Sequence, residues 1–182
     1  DVHPVRSPHN ESGKKTNNKA ALNMATSNGV KEINLIAQDT TSFGMDRDSK
    51  TLEELLRHLV KIEGIEWIRL LYLYPSKITD SLIKLIRDEE KICKYIDIPI
   101  QHINKKILKA MNRTTTKEGI KRLIEKIRKE VPDVVLRTSL IVGFPGETEK
   151  EFTELLDFVR DIRLTDLAYS NIQKKKGHLH IK

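Results

Sequence analysis

Cysteine is nearly missing from this chain of 182 residues: Cys93 is the only one. An internal disulfide is thereby excluded, and the composition fits a reducing, cytoplasmic setting. Within KICKYIDIP, at the entry to an expected strand, a lone cysteine reads as a small buried hydrophobe. Long apolar runs are missing too. No stretch approaches the roughly 18 residues that cross a bilayer, the N-terminus has no apolar signal region, and no membrane partner is expected. Between residues 31 and 173 no group of Cys, His or carboxylates has metal-ligand spacing, so no metal ligand is assigned. Neither the Gly-Lys-Ser/Thr of a phosphate-binding loop nor the G-x-G-x-x-G of a dinucleotide fold is present.

What is abundant is charge, with a net +7. Its location matters more than its size. Residues 1–30 carry +2 and residues 174–182 carry +4, which leaves +1 for 31–173. The body of the chain therefore offers no charge-based case for a polyanion partner, and a nucleic-acid partner is not expected for the core. A length of 182 residues suits one domain with a buried core.

From residue 31 the pattern alternates between strand and helix. Strands are expected at 31–37, 66–73, 95–100, 134–142 and 166–170. Helices are expected at 51–63, 80–88, 105–111 and 116–130, with one more beginning at Thr148. Thr51 with Glu54, and Thr148 with Glu151, have capping-box spacing. In 116–130, Ile120, Leu123, Ile124 and Ile127 share one helical face with Val131. Successive strand-to-helix units argue for an α/β fold with a parallel sheet, barrel-like or doubly wound. The ends break the pattern. Residues 1–28 are polar and aperiodic, 171–182 are polar with a lysine triplet, and both read as solvated tails.

The segment VVLRTSLIVGFPGETE (134–149) carries the most information. A β-branched run ends in a Gly-Phe-Pro-Gly-Glu turn and passes into a helix N-terminus, which suits a small polar ligand. Other strands also end in polar segments: Gln38 to Ser42, Tyr74 to Ser76, and Gln101 with His102. In parallel α/β folds the carboxyl ends of the strands share one face, and that face carries the ligand site. Pro99 cannot donate to a sheet ladder, so pairing should loosen there. His102 has no nucleophile beside it, and no catalytic residue is assigned.

These segments together resemble the radical S-adenosylmethionine methylthiotransferases, and among them the RimO-type ribosomal-protein aspartate methylthiotransferases. The resemblance rests on VKEINLIAQDTTSFG (30–44), YLYPSKIT (72–79), YIDIPIQHINKKILKAMNRTTT (95–116) and VLRTSLIVGFPGETEKEF (135–152). The sister family, which modifies adenosine in transfer RNA, reads differently at 38–44 and 98–103 and is the alternative, beside a non-catalytic remnant. The resemblance implies a partial (β/α) barrel of the radical SAM type. It implies S-adenosylmethionine and a [4Fe–4S] cluster as cofactors, and a ribosomal protein as the substrate. Gln101, Arg137, Ser139, Gly143, Pro145, Gly146 and Glu147 would line the adenosylmethionine site.

The family's cluster is held by three cysteines after the first barrel strand. This chain has neither that cysteine triplet nor, by the resemblance, the first strand and cluster loop, so it is expected to be inactive as written. Residues 30–170 are read as the radical SAM core, and 1–29 and 171–182 as segments that do not match. Shifting the reading frame of the back-translated ends by one base permits Cys-Thr-Ser-Cys-Ala-Ile-Pro at the start. The same shift permits Lys-Glu-Glu-Gly-Thr-Ser-Ala-Tyr-Lys at the end, and both stretches resemble family text. Both ends are accordingly read as frame-shifted, which the underlying DNA would decide.

Overall fold

The strands fall in chain order across a single sheet. A computed structural model describes residues 26–45, 51–164, 166–175 and 178–181. Strands β1 (Glu32–Leu35), β2 (Trp67–Leu70), β3 (Ile92–Asp97), β4 (Val135–Val142) and β5 (Asp166–Lys175) are parallel neighbours. Strand β6 (His178–Ile181) returns antiparallel to β5. Helices α1 (Leu52–Leu59), α2 (Asp80–Asp88), α3 (Lys105–Ala110), α4 (Lys117–Glu130) and α5 (Glu149–Ile162) fill the crossovers. Parallel neighbours joined by helices are the α/β arrangement that the alternating pattern predicts.

Each helix starts where a side chain can take up its free N–H groups. Thr51 and Glu54 form the expected capping box on α1. Thr79 caps α2, Asn104 caps α3 and Thr116 caps α4. On α5 the Glu151 carboxylate reaches back to the Thr148 N–H at 2.9 Å. Helix α1 stops four residues short of the expected 51–63. Its end tightens into three-residue turns (Lys61 N–H to His58 O, Ile62 N–H to Leu59 O), and Gly64 at φ +83° then redirects the chain.

The core lies between the sheet and the helices. Ile33, Ile68, Leu70, Ile92, Ile96, Leu136 and Leu140 pack against apolar stripes that include Leu56, Ile86, Ile124 and Phe158. Strand β4 alternates cleanly: Leu136, Thr138 and Leu140 are buried, while Val135, Arg137, Ser139 and Ile141 are partly exposed. Parallel strands covered on both faces lack such alternation. Among the described residues, then, helices cover one face and the other is open and largely polar, presenting Glu32, Arg69, Tyr95 and Arg137. Cys93 sits on that open face, half-buried, and burial pushes its thiol up from the ordinary value.

Two strands differ from expectation. The strand expected at 95–100 spans Ile92–Asp97, because the chain from Ile98 onward leaves the regular ladder at Pro99. The strand expected at 166–170 runs on to Lys175 and pairs with β6, through register partners such as Lys174 and Leu179. The alternation in His178–Ile181 spans only four residues beside a lysine triplet, too short a period to mark a strand against its polar surroundings. Of the N-terminal segment 1–29, residues 1–25 lie outside the described residues.

Candidate functional site

The polar segments that follow the strands lie side by side and are stitched to one another. After β1, the Thr40 hydroxyl donates to Leu71 O at 2.5 Å and accepts from Ala37 N–H at 3.2 Å. Thr40 N–H bonds Tyr72 O at 3.0 Å, and Thr41 Oγ1 accepts from Tyr74 N–H at 3.2 Å. The segment after β1 is thus fastened to the one after β2. Asp39 receives hydrogen bonds from Thr41, from Ser42 at 2.6 Å and from Lys77 Nζ at 2.7 Å. Partial burial pushes its carboxyl up, but these bonds outweigh that and hold it below the usual range.

The next junction is built on Asp97, which is fully buried. Its Oδ2 accepts from Tyr72 N–H at 3.1 Å, and its Oδ1 from Arg137 Nη1 at 2.9 Å. A buried carboxylate paired in this way links the ends of β2, β3 and β4. Tyr72 adopts φ +56°, which turns its N–H toward the carboxylate. Beyond Asp97 comes Pro99, which has no N–H. Thr138, fully buried on β4, spans the gap: its hydroxyl donates to Ile98 O at 2.7 Å and accepts from Ile100 N–H at 3.2 Å. Pairing resumes at Gln101, whose N–H bonds Ser139 O at 2.9 Å and whose O accepts from Ile141 N–H at 2.8 Å. Gln101 stands at φ +69°, a left-handed conformation that costs a non-glycine residue about 1–2 kcal/mol.

The Gly-Phe-Pro-Gly-Glu turn closes the row. Gly143 (φ +72°) and Gly146 (φ +89°) are exposed and left-handed. A Cβ on Gly146 would meet no neighbour, so backbone conformation and not crowding calls for glycine there. Glu147 folds inward. Its Oε2 accepts from Phe144 N–H at 2.9 Å, and its Oε1 lies 3.6 Å from Nε2 of the fully buried His102. His102 Nδ1 accepts from Asn104 N–H at 2.9 Å, which leaves the ring proton on Nε2, facing Glu147. Burial lowers the His102 pKa and Glu147 opposes this only in part, so the imidazole is neutral near pH 7. Lys106 bonds Gly146 O at 3.0 Å, tying α3 to the turn.

The predicted residues therefore share one edge of the sheet, but they do different things. Arg137 and Ser139 stand on the open face of β4, and Gln101 lies beside that strand, past the end of β3, in an isolated bridge to Leu140. Gly143, Pro145 and Gly146 form the exposed rim. Glu147 keeps its carboxylate inside, where it braces the turn. Sequence reasoning missed Asp97 and Thr138. The signal for Thr138 was a hydroxyl at a core-facing position of an otherwise aliphatic strand, opposite a proline.

Comparison with known proteins gives this arrangement a family. The sequence profile of the Radical SAM superfamily matches residues 13–159. The chain belongs to the radical SAM superfamily. It is 53% identical over 167 residues to the ribosomal protein uS12 methylthiotransferase RimO of Clostridium botulinum (strain Loch Maree / Type A3), covering 91% of this chain and 38% of that protein. To the RimO of Pelobacter propionicus it is 53% identical over 159 residues, covering 87% of this chain and 35% of the relative. The chain thus spans little more than a third of the length of these relatives. The radical SAM methyltransferase TsrM from Kitasatospora setae shares the fold at a TM-score of 0.62 and 16% identity, over 82% of this chain and 29% of its own. Coproporphyrinogen III oxidase HemN from Escherichia coli shares it at 0.55 and 20% identity, over 65% of this chain and 28% of its own.

Radical SAM proteins use S-adenosylmethionine and a [4Fe–4S] cluster. The strand-end edge fits the first of these: it combines a glycine-rich rim, an open polar face and exposed backbone at left-handed positions. The second does not fit. A cluster needs several thiolates. This chain offers one thiol, on the open face of β3, where burial raises its pKa and so disfavours the thiolate.

Proposed function

We propose that these residues form the adenosylmethionine-binding part of a methylthiotransferase acting on a ribosomal protein. The observation that carries the reading is the joining of all four polar segments, through Asp39–Thr41, Asp97 and Thr138, into one edge that ends in the Gly143–Glu147 turn. The 53% identity to RimO proteins supports the substrate class.

The chain's own residues bind and orient. The exposed Gly143–Gly146 backbone lets a ligand approach the main chain closely. Arg137 and Ser139 supply polar contacts from the open face, and the Asp97 pair fixes where the guanidinium stands. Glu147 braces the turn through Phe144 N–H, with the buried His102 facing its other carboxylate oxygen. Adenosylmethionine supplies a 5′-deoxyadenosyl radical when it is reduced. No step of that reduction is assigned here, because Cys93 alone cannot hold the cluster.

Anaerobic iron–sulfur reconstitution tests the division of roles. The expected outcome is no [4Fe–4S] absorption and no 5′-deoxyadenosine from this chain, while adenosylmethionine stays bound. Stoichiometric cleavage would contradict it. Grafting residues 30–164 into a full-length RimO relative tests the substrate. The chimera should add a methylthio group to ribosomal protein uS12, detected by intact mass, and a chimera that loads its clusters without modifying the protein would refute the reading.

A further inference from the structure

The near-neutral total over residues 31–173 conceals a separation of charge. Residues 105–129, which span α3, the following turn and α4, hold ten lysines and arginines against two acids. The rest of 31–173 is net acidic. The helices bury Ile107, Leu108, Ile120, Ile124 and Ile127, so the basic side chains are left on the outside. Some are tied down: Lys117 to Glu154 at 3.2 Å, Lys126 to Asp80, and Arg128 to Arg163 O at 2.7 Å. Lys105, Lys109, Lys121, Arg122 and Lys129 are exposed and make no hydrogen bond or ion pair among the described residues. Glu118 and Glu125, spaced to meet them along α4, offset only part of this charge.

This face begins at the rim of the candidate site. Lys106 reaches Gly146 O, and Asn104 and Lys117 both contact Glu154 on α5, so the starts of α3 and α4 lie against the turn and the helix that follows it. Two further observations narrow the partner. Residues 105–129 contain no aromatic side chain, so bases have nothing to stack on and recognition falls to the phosphates. None of the exposed large hydrophobics lies on α3 or α4; Phe152 and Leu156 are exposed on the neighbouring α5, so the basic helices themselves offer no apolar anchor for a membrane surface.

We propose that the outer face of α3 and α4 is a docking surface for the phosphate backbone of structured RNA, beside the mouth of the adenosylmethionine site. It rests on the ribosomal-protein reading in one respect: a substrate lodged in ribosomal RNA would be presented at the strand ends while its RNA lies along these helices. Fluorescence anisotropy with a labelled RNA duplex, using the whole chain, tests it. Binding should weaken as salt rises, and reversing Lys109, Lys121, Arg122 and Lys129 together to Glu should cost at least tenfold in affinity. The reversal should also shallow the slope of log affinity against log salt by about 0.9 per lost phosphate contact. Reversing Lys61, in the turn after α1, and Lys84, on α2, both exposed, should change little. The proposal is overturned if both sets of reversals act equally. It is also overturned if neutralising Lys14, Lys15 and Lys174 to Lys176 abolishes binding while the α3–α4 reversal leaves it intact, or if phosphatidylserine vesicles bind as tightly as RNA. Adenosylmethionine binding measured on the same variants separates the two readings, since the reversal should leave it unchanged.

Discussion

Pro99 removes a hydrogen-bond donor from the end of β3, and Thr138 on the neighbouring strand compensates from the buried side. Thr138→Val keeps the shape but strands the Ile100 N–H and the Ile98 carbonyl. It should lower stability by about 1–3 kcal/mol, read as a shift of the urea midpoint, whereas Thr138→Ser should lose much less. His102 provides a pH test. Its folded-state pKa lies below the ordinary 6.5, so the unfolded chain takes up the proton first. The stability it contributes is complete above pH 6.5 and is lost as pH falls below that value. The melting temperature should drop between pH 7 and pH 5.5, and His102→Gln should flatten that drop. An unchanged slope in the variant would show that other groups carry it.

At the scale of elements, the rim turn depends on backbone conformation. Gly146→Ala forces a Cβ into φ +89° with no steric neighbour to blame, and should cost about 1–2 kcal/mol and weaken ligand binding. Comparing thermal melts of the two proteins checks the first part. Most elements were legible because local rules decided them: α2 matches its expected 80–88 limits, and α4 follows its Ile120–Ile124–Ile127 stripe and its Thr116 cap. The gathering of strand-end segments was legible from the parallel topology. Other features were not, because they arise only from neighbours distant in sequence. Asp97 is explained by Tyr72 and Arg137, and the inward turn of Glu147 by His102; none of these pairs is close in sequence. β6 went unread because its His-Leu-His-Ile alternation is only four residues long and follows a lysine triplet; pairing with β5 is what defines it.

At the scale of the whole molecule, β1 is the outermost parallel strand among the described residues, and it is followed by Ile36, which is 40% exposed. An unpaired strand edge invites intermolecular pairing. The chain should associate at high concentration in sedimentation velocity, and Ile36→Lys should reduce that association; a variant that associates as before would locate the contact elsewhere. The same sheet gathers the candidate edge although the chain has a single cysteine. The ligand edge is assembled by the Asp97 and Thr138 junctions within these residues, whereas the thiolates for iron are not among them. The central claim is that this edge binds adenosylmethionine by itself, and equilibrium dialysis with labelled adenosylmethionine tests it most directly. Saturable binding of one molecule per chain is expected, weakened at least tenfold by Ser139→Leu on the open face of β4 with the thermal melt unchanged. Absence of saturable binding by the folded chain, or equal binding by the variant, would contradict it.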